Sequence, residues 1–102
     1  MKKILIIGAG GHSNVIEDTL KELGSFNEIA FLDDKFNQNT KTLYSENKKI
    51  LGSSKLIYNR DLRSNFKYAF VAIGDAEKRL MLIKKLENLE YEIPIIIHPT
   101  AW

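Results

Sequence analysis

Residues 3 to 13 read KILIIGAGGHS. The first five, KILII, form an unbroken apolar run. A strand with one wet face would alternate, so this pattern suits a strand buried on both faces of a parallel sheet. Gly8 ends the run, and three glycines fall within the four positions 8 to 11. The stretch from 12 to 23, HSNVIEDTLKEL, is helical in character. Val15, Ile16, Thr19, Leu20 and Leu23 are expected on its inner face, and Gly24 supplies a C-terminal stop. A buried strand, a glycine loop and an amphipathic helix in direct succession leave few folds open.

The remainder of the chain repeats the alternation. EIAFLDD at 28 to 34 reads as a second strand ending in two aspartates. The polar stretch KFNQNTKTLYSENKK at 35 to 49 reads as a loop. ILGSS at 50 to 54 is a short strand entering a turn. A helix is expected within SSKLIYNRDLRSN, with Ser53 or Ser54 as its cap. KYAFVAIG at 67 to 74 is another buried strand stopped by glycine. DAEKRLMLIKKLENL at 75 to 89 is the clearest helix, with Asp75 as cap and Leu82, Ile83, Leu86 and Leu89 facing inward. EIPIIIHP at 92 to 99 is a last strand broken by Pro99. Strands and helices in this order predict an α/β fold with a parallel sheet and helices on both faces.

The 102 residues suit one domain. Fifteen basic and 13 acidic residues are interspersed, for a net charge of +2. That balance makes no case for nucleic acid or a membrane surface. No cysteine is present, which excludes disulfides and thiolate metal sites. The two histidines, 86 residues apart, have no metal-ligand spacing. The longest apolar runs are too short to span a bilayer, and MKKILII is too short before its glycines for a signal peptide. A cytoplasmic protein is expected.

Chemistry concentrates on the glycine loop. In parallel sheets ligands bind beyond the carboxyl ends of the strands, where strand order reverses. Glycines let the backbone approach a phosphate, and the free N–H groups and dipole of the next helix favour an anion. The dinucleotide pattern G-x-G-x-x-G is met at Gly8 and Gly10, with Ser13 in third place. Asp33, 25 residues after Gly8, is placed to accept ribose hydroxyls or a base N–H group. It points to a nucleoside rather than to nicotinamide in particular. His12, in the first helical turn, is expected as neutral imidazole. Contact with a sugar or phosphate and packing beside the loop both remain open for it. Asp33 and Asp34 alternate along a strand and make a poor acid–base pair. Arg79, among Glu77, Lys78, Lys84 and Lys85, reads as part of a solvated face. Tyr58 and Phe66 read as core or rim.

Five short motifs in order carry a family resemblance. They are Gly8-Ala9-Gly10-Gly11-His12, Phe31-Leu32-Asp33-Asp34, Ile50-Leu51-Gly52, Val71-Ala72-Ile73-Gly74-Asp75 with Arg79, and Ile97-His98-Pro99-Thr100-Ala101. Together they resemble the N-terminal domain of bacterial sugar acetyltransferases of the PglD/NeuD type. That family includes N-acetyltransferases of UDP-linked 4-amino-sugars and relatives called sialic-acid O-acetyltransferases. The resemblance implies a Rossmann-like domain that binds a nucleotide sugar. It places Gly8, Ala9, Gly10, Gly11 and His12 against the sugar and pyrophosphate. Asp33 and Asp34 would hold uracil and ribose, and Gly52 and Gly74 would line the same cleft.

The resemblance further implies that residues 1 to 97 form the UDP-sugar-binding domain and that 98 to 102 begin a linker to a left-handed β-helix. That second domain would form a homotrimer, bind acetyl-CoA and supply the catalytic histidine. On this reading the chain binds a UDP-amino-sugar, holds no cofactor and no metal, and contains no catalytic residue. His98 is then a linker histidine. Two rivals stand beside it: an NAD(P)-binding domain of an oxidoreductase, and a stand-alone nucleotide-binding module.

Overall fold

The computed structural model describes residues 2–35 and 49–96, with the side chains of Gly11 and His12 left aside. The run KILII forms β1 (Lys3–Ile7), followed by α1 (Gly11–Leu23) and β2 (Glu28–Leu32). Next come β3 (Ile50–Gly52), a 3₁₀ turn (Ser54–Tyr58) and the short helix α2 (Arg60–Asn65). β4 (Tyr68–Val71) and α3 (Ala76–Asn88) complete the described elements. The four strands form one sheet in the order β3-β2-β1-β4, and every pairing is parallel. The chain winds outward from β1 to β2 and β3, then returns to the other side of β1. The strand order therefore reverses beside β1.

Alternation along β1 divides the core in two. Leu5 and Ile7 point to one face and pack with Ala30, Leu32, Ala69 and Val71 under Leu82 and Leu86 of α3. Ile57 and Phe66 join that layer. Ile4 and Ile6 point the other way, against Leu20 of α1, Phe31 and Ala72. Both faces of the sheet are covered, as the apolar run of β1 requires. Among the described residues no helix is long and apolar enough to cross a membrane.

Several local expectations are corrected. On α1, Val15 is 62% exposed and Leu23 44% exposed. The buried stripe is Ser13, Ile16, Thr19 and Leu20. At 100° per residue Val15 falls outside it, and Leu23 sits in the final turn before the Gly24 cap. Ser53 sits at the N-cap position of the 3₁₀ turn, as expected, but neither it nor Ser54 caps a helix through its side chain. Asn59 does, accepting from the Leu62 N–H at 2.9 Å, and its extended backbone breaks 54–65 into a 3₁₀ turn and α2. β2 ends at Leu32, although the Asp33 N–H still donates to the Gly52 carbonyl at 2.8 Å, and the Asp33 and Asp34 carboxylates bond neighbouring loops. From the expected last strand, the described residues 92–96 contribute one parallel bridge, between Tyr68 and Glu92. Pro94 has no N–H to continue a ladder. Residues 97–99 of that strand, and most of the polar loop at 35–49, lie outside the described residues. Asp75 caps α3 as its position predicts, taking the N–H groups of Glu77 and Lys78 at 3.0 and 3.1 Å. Leu82 and Leu86 are buried beneath the helix, with Ile83 and Leu89 partly so.

A buried phenol hydroxyl ties together two segments of one layer. The Tyr91 O–H donates to the Ile57 carbonyl at 2.8 Å. Burial pushes this phenol up to about 12 from its ordinary 10.0. Below pH 10 both folded and unfolded chains hold the proton. Between about 10 and 12 the unfolded chain releases it first, so stability falls as pH rises through that window. Tyr91→Phe removes this fall and leaves the Ile57 carbonyl without a donor, costing about 1–3 kcal/mol at neutral pH. Urea denaturation at pH 8 and pH 11 checks both effects.

Candidate functional site

A cleft of about 670 Å³ opens at the carboxyl ends of the strands, where the order reverses. Three strand ends meet there. Ile7, Gly8 and Gly10 come from β1, Leu32, Asp33 and Asp34 from β2, and Ala72, Ile73 and Gly74 from β4. The 3₁₀ turn adds Ser54, Lys55, Ile57 and Tyr58. One face of α3 adds Lys78, Met81, Leu82 and Lys85, at helical spacing behind its cap Asp75.

The glycine loop is held from both sides. The Gly8 N–H donates to the Leu32 carbonyl at 2.7 Å, and the Ala72 N–H donates to the Ile7 carbonyl at 2.8 Å. Asp33 Oδ2 accepts the Ala9 N–H at 2.8 Å, while its Oδ1 accepts the Lys35 N–H at 2.8 Å. Asp34 Oδ1 accepts the Ser54 N–H at 2.7 Å. The Ser54 hydroxyl and N–H hold the Asp34 carboxyl below its ordinary 3.8, with Lys78 and Lys55 adding through space. The stability this gives is present above pH 3.8 and is lost as pH falls through the lowered value.

The glycines separate into two kinds. Gly8 has φ +107°, and a Cβ there would lie 2.8 Å from the Ala72 carbonyl oxygen. The close approach of β1 and β4 demands this glycine. A Cβ on Gly52 would lie 2.7 Å from Leu56 Cδ1, and Gly52 is absent from the described cleft lining. Gly10 and Gly74 differ. Neither has a positive φ, and among the described residues nothing lies within 4 Å of the Cβ each lacks. Both border the cleft. The fold does not need a glycine at either position, and a side chain there would reduce the room available to a ligand.

The helix ends differ in the same sense. Asp75 caps α3, but Gly10 precedes α1 with no side-chain cap, and the first turn of α1 carries no acidic residue. The N–H groups that open a helix lack intrahelical partners and favour an anion. Ser13, in third place of the glycine pattern, is fully buried and donates its hydroxyl to the Gly10 carbonyl at 2.7 Å. A small side chain there lets α1 sit close to the sheet.

The structure thus brings Gly8, Gly10, Asp33, Asp34 and Gly74 together at one cleft. Ala9 lies beneath it, fully buried, with its N–H committed to Asp33. Gly11 opens α1, while the side chain of His12 and all of His98 lie outside the described residues. The cleft also holds Lys55, Tyr58, Lys78, Met81 and Lys85, which sequence reasoning did not assign to it. Lys78 and Lys85 read as solvated because α3 was expected to present one charged face. Their spacing of seven, flanking Leu82, was the available signal. Arg79 is half-buried on this helix, and its guanidinium donates to the Ile73 carbonyl at 3.4 Å.

The PglD N-terminal domain model matches residues 3–86. The chain belongs to that family. The acetyltransferase domain of PglB from Neisseria gonorrhoeae matches the fold with a TM-score of 0.82 at 29% identity, covering 97% of this chain and 45% of that one. The same domain in complex with acetyl coenzyme A gives 0.80 at 28%, covering 96% and 44%. PerB from Caulobacter crescentus, in complex with CoA and GDP-perosamine, gives 0.76 at 27%, covering 98% and 44%. The chain thus spans less than half the length of these solved relatives. A search of curated proteins found no match.

The two kinds of glycine predict opposite outcomes. Gly8→Ala should cost about 1–3 kcal/mol or more, because its φ is strained and its Cβ meets backbone. Gly10→Ala should change stability by no more than about 1 kcal/mol. Denaturant melts of the two variants test this.

Proposed function

We propose that this chain is the substrate-binding domain of an acetyl-CoA-dependent N-acetyltransferase acting on a nucleotide-linked amino sugar. The observation that supports this most directly is the cleft beyond β1 and β4. Its open glycines and uncapped helix terminus suit phosphates, in a chain of the same family fold as a protein solved with GDP-perosamine and CoA. Residues 1 to 97 form the binding domain on this reading, and 98 onward lead to the part that carries transfer.

The residues divide the work by chemistry. The diphosphate lies over Gly10 and Gly74, near the first-turn N–H groups of α1. Lys55, Lys78 and Lys85 supply positive charge, and none of them takes part in a described salt bridge. Four lysines and three aspartates line the cleft, which leaves a net charge of +1 there. Asp33 and Asp34 each give a carboxylate to the backbone, yet a carboxylate offers about four acceptor positions. The remaining ones accept ribose hydroxyls or base N–H groups. UDP is the nucleotide we assign, and GDP, the nucleotide bound by PerB, is its direct competitor.

In the whole protein the sugar amine attacks the thioester carbonyl of acetyl-CoA. A base outside this chain, from a neighbouring subunit of a homotrimer, takes the amine proton, and CoA thiolate leaves as the C–S bond breaks. The part of the reaction assigned to these 102 residues is to hold and orient the sugar nucleotide.

Thermal unfolding with UDP, GDP, CMP, NAD and acetyl-CoA in separate titrations tests the reading. A bound nucleotide at about 100 times its dissociation constant adds ~2.7 kcal/mol, a rise of roughly 10–20 °C. UDP or GDP should give that rise, and Gly10→Ala should weaken it without lowering the unliganded midpoint by more than a few degrees. A rise with NAD alone would overturn the proposal in favour of a dinucleotide oxidoreductase domain.

A further inference from the structure

We propose that the ring of Tyr58 is the stacking platform for the nucleobase, with the Met81 thioether of α3 as a second apolar surface of the same slot; this rests on the sugar-nucleotide reading above. Tyr58 is 52% exposed and Met81 50% exposed, and both line the cleft. Their chain neighbours Ile57 and Leu82, which also line the cleft, are buried, at 1% and 8% exposure. The cleft therefore has two chemically distinct regions. Around Gly10 and Gly74 it offers open backbone next to an uncapped helix. Around Tyr58 and Met81 it offers broad apolar side chains, with Lys55, Lys78 and Lys85 on the same two elements. A phosphate suits the first region. A flat heterocycle suits the second, because every base has a π-face that stacks on an aromatic ring. Met81 adds a polarizable sulfur able to lie against such a ring.

The backbone that carries the ring is also held in place. Tyr58 closes the 3₁₀ turn, and bonds fix that turn along its length. Asp34 anchors its start through the Ser54 N–H, and Tyr91 anchors Ile57 through its carbonyl. The Asn59 N–H then closes on the Leu56 carbonyl at 2.9 Å. The backbone beside Tyr58 is thus fixed, while among the described residues its own ring has no hydrogen bond and no aromatic partner. An exposed aromatic ring on an anchored backbone loses little freedom when a ligand stacks on it. Tyr58 is then a determinant of nucleotide affinity rather than rim surface. It reads the presence of a base, and Asp33 and Asp34 read its edge and the ribose.

Calorimetric titration of UDP, GDP and inorganic pyrophosphate into the unaltered chain, Tyr58→Ala and Tyr58→Phe tests the assignment. Tyr58→Ala should weaken the preferred nucleotide by about 10-fold or more, whereas Tyr58→Phe should stay within about twofold, because the ring carries the contact. Pyrophosphate affinity should be the same in all three. In the unaltered chain the base ring protons should shift upfield in NMR on binding, and that shift should vanish in Tyr58→Ala. Equal nucleotide affinity in Tyr58→Ala, or no upfield shift in a chain that does bind nucleotide, would overturn the stacking role and leave the substrate reading standing. Failure of the unaltered chain to bind either nucleotide would overturn the substrate reading, and the stacking role with it.

Discussion

The structure depends on how closely the end of β1 approaches the end of β4. At Gly8 the backbone passes so near the Ala72 carbonyl that a methyl group would lie 2.8 Å from its oxygen. That contact brings together two loops separated by more than 60 residues; the N–H bond from Ala72 to Ile7 locks them, and the one from Gly8 to Leu32 ties the glycine loop to the end of β2. The strand-end wall of the cleft is built of these backbone segments. Its shape therefore survives most substitutions around it and fails with a substitution at Gly8.

The two aspartates after β2 extend that order outward. Asp33 reaches back to the glycine loop, and Asp34 reaches forward to the 3₁₀ turn. Each secures a different wall of the same cleft, so the end of β2 acts as a strut between them. Tyr91 supports the turn from the opposite side, through the Ile57 carbonyl. The elements that form the site are thus positioned by hydrogen bonds from side chains, while the sheet beneath them is positioned by apolar burial. This division is physically reasonable, since a site needs fixed geometry at an exposed surface where burial contributes least.

Much of this was legible from residue patterns. The run KILII, the glycines after it and the cap Asp75 marked the buried strand, the loop and α3, because period, conformational freedom and capping chemistry are local properties. Asp33 was placed at the site by its distance from Gly8 along the chain. Where expectation failed, the cause was not local. Val15 satisfies a helical pattern but lies off the stripe that meets the sheet. Asn59 interrupts the segment and caps a second helix, while Ser53 stands at the N-cap of the 3₁₀ turn without a side-chain bond. Lys78, Lys85 and Tyr58 look like surface residues in sequence, and they are surface residues, but the surface is that of the cleft.

The sequence by itself determined the alternation of strands and helices, the burial of β1, and the presence of a glycine loop suited to an anion. Those follow from each residue's own preferences and from spacing within one element. Only the tertiary structure decided which glycines serve the fold and which leave room for a ligand, because that depends on what lies opposite the missing Cβ. It alone brought the 3₁₀ turn and α3, distant in sequence, to the same cleft. That juxtaposition comes from the reversal of strand order beside β1, a consequence of packing the whole chain rather than of any one segment.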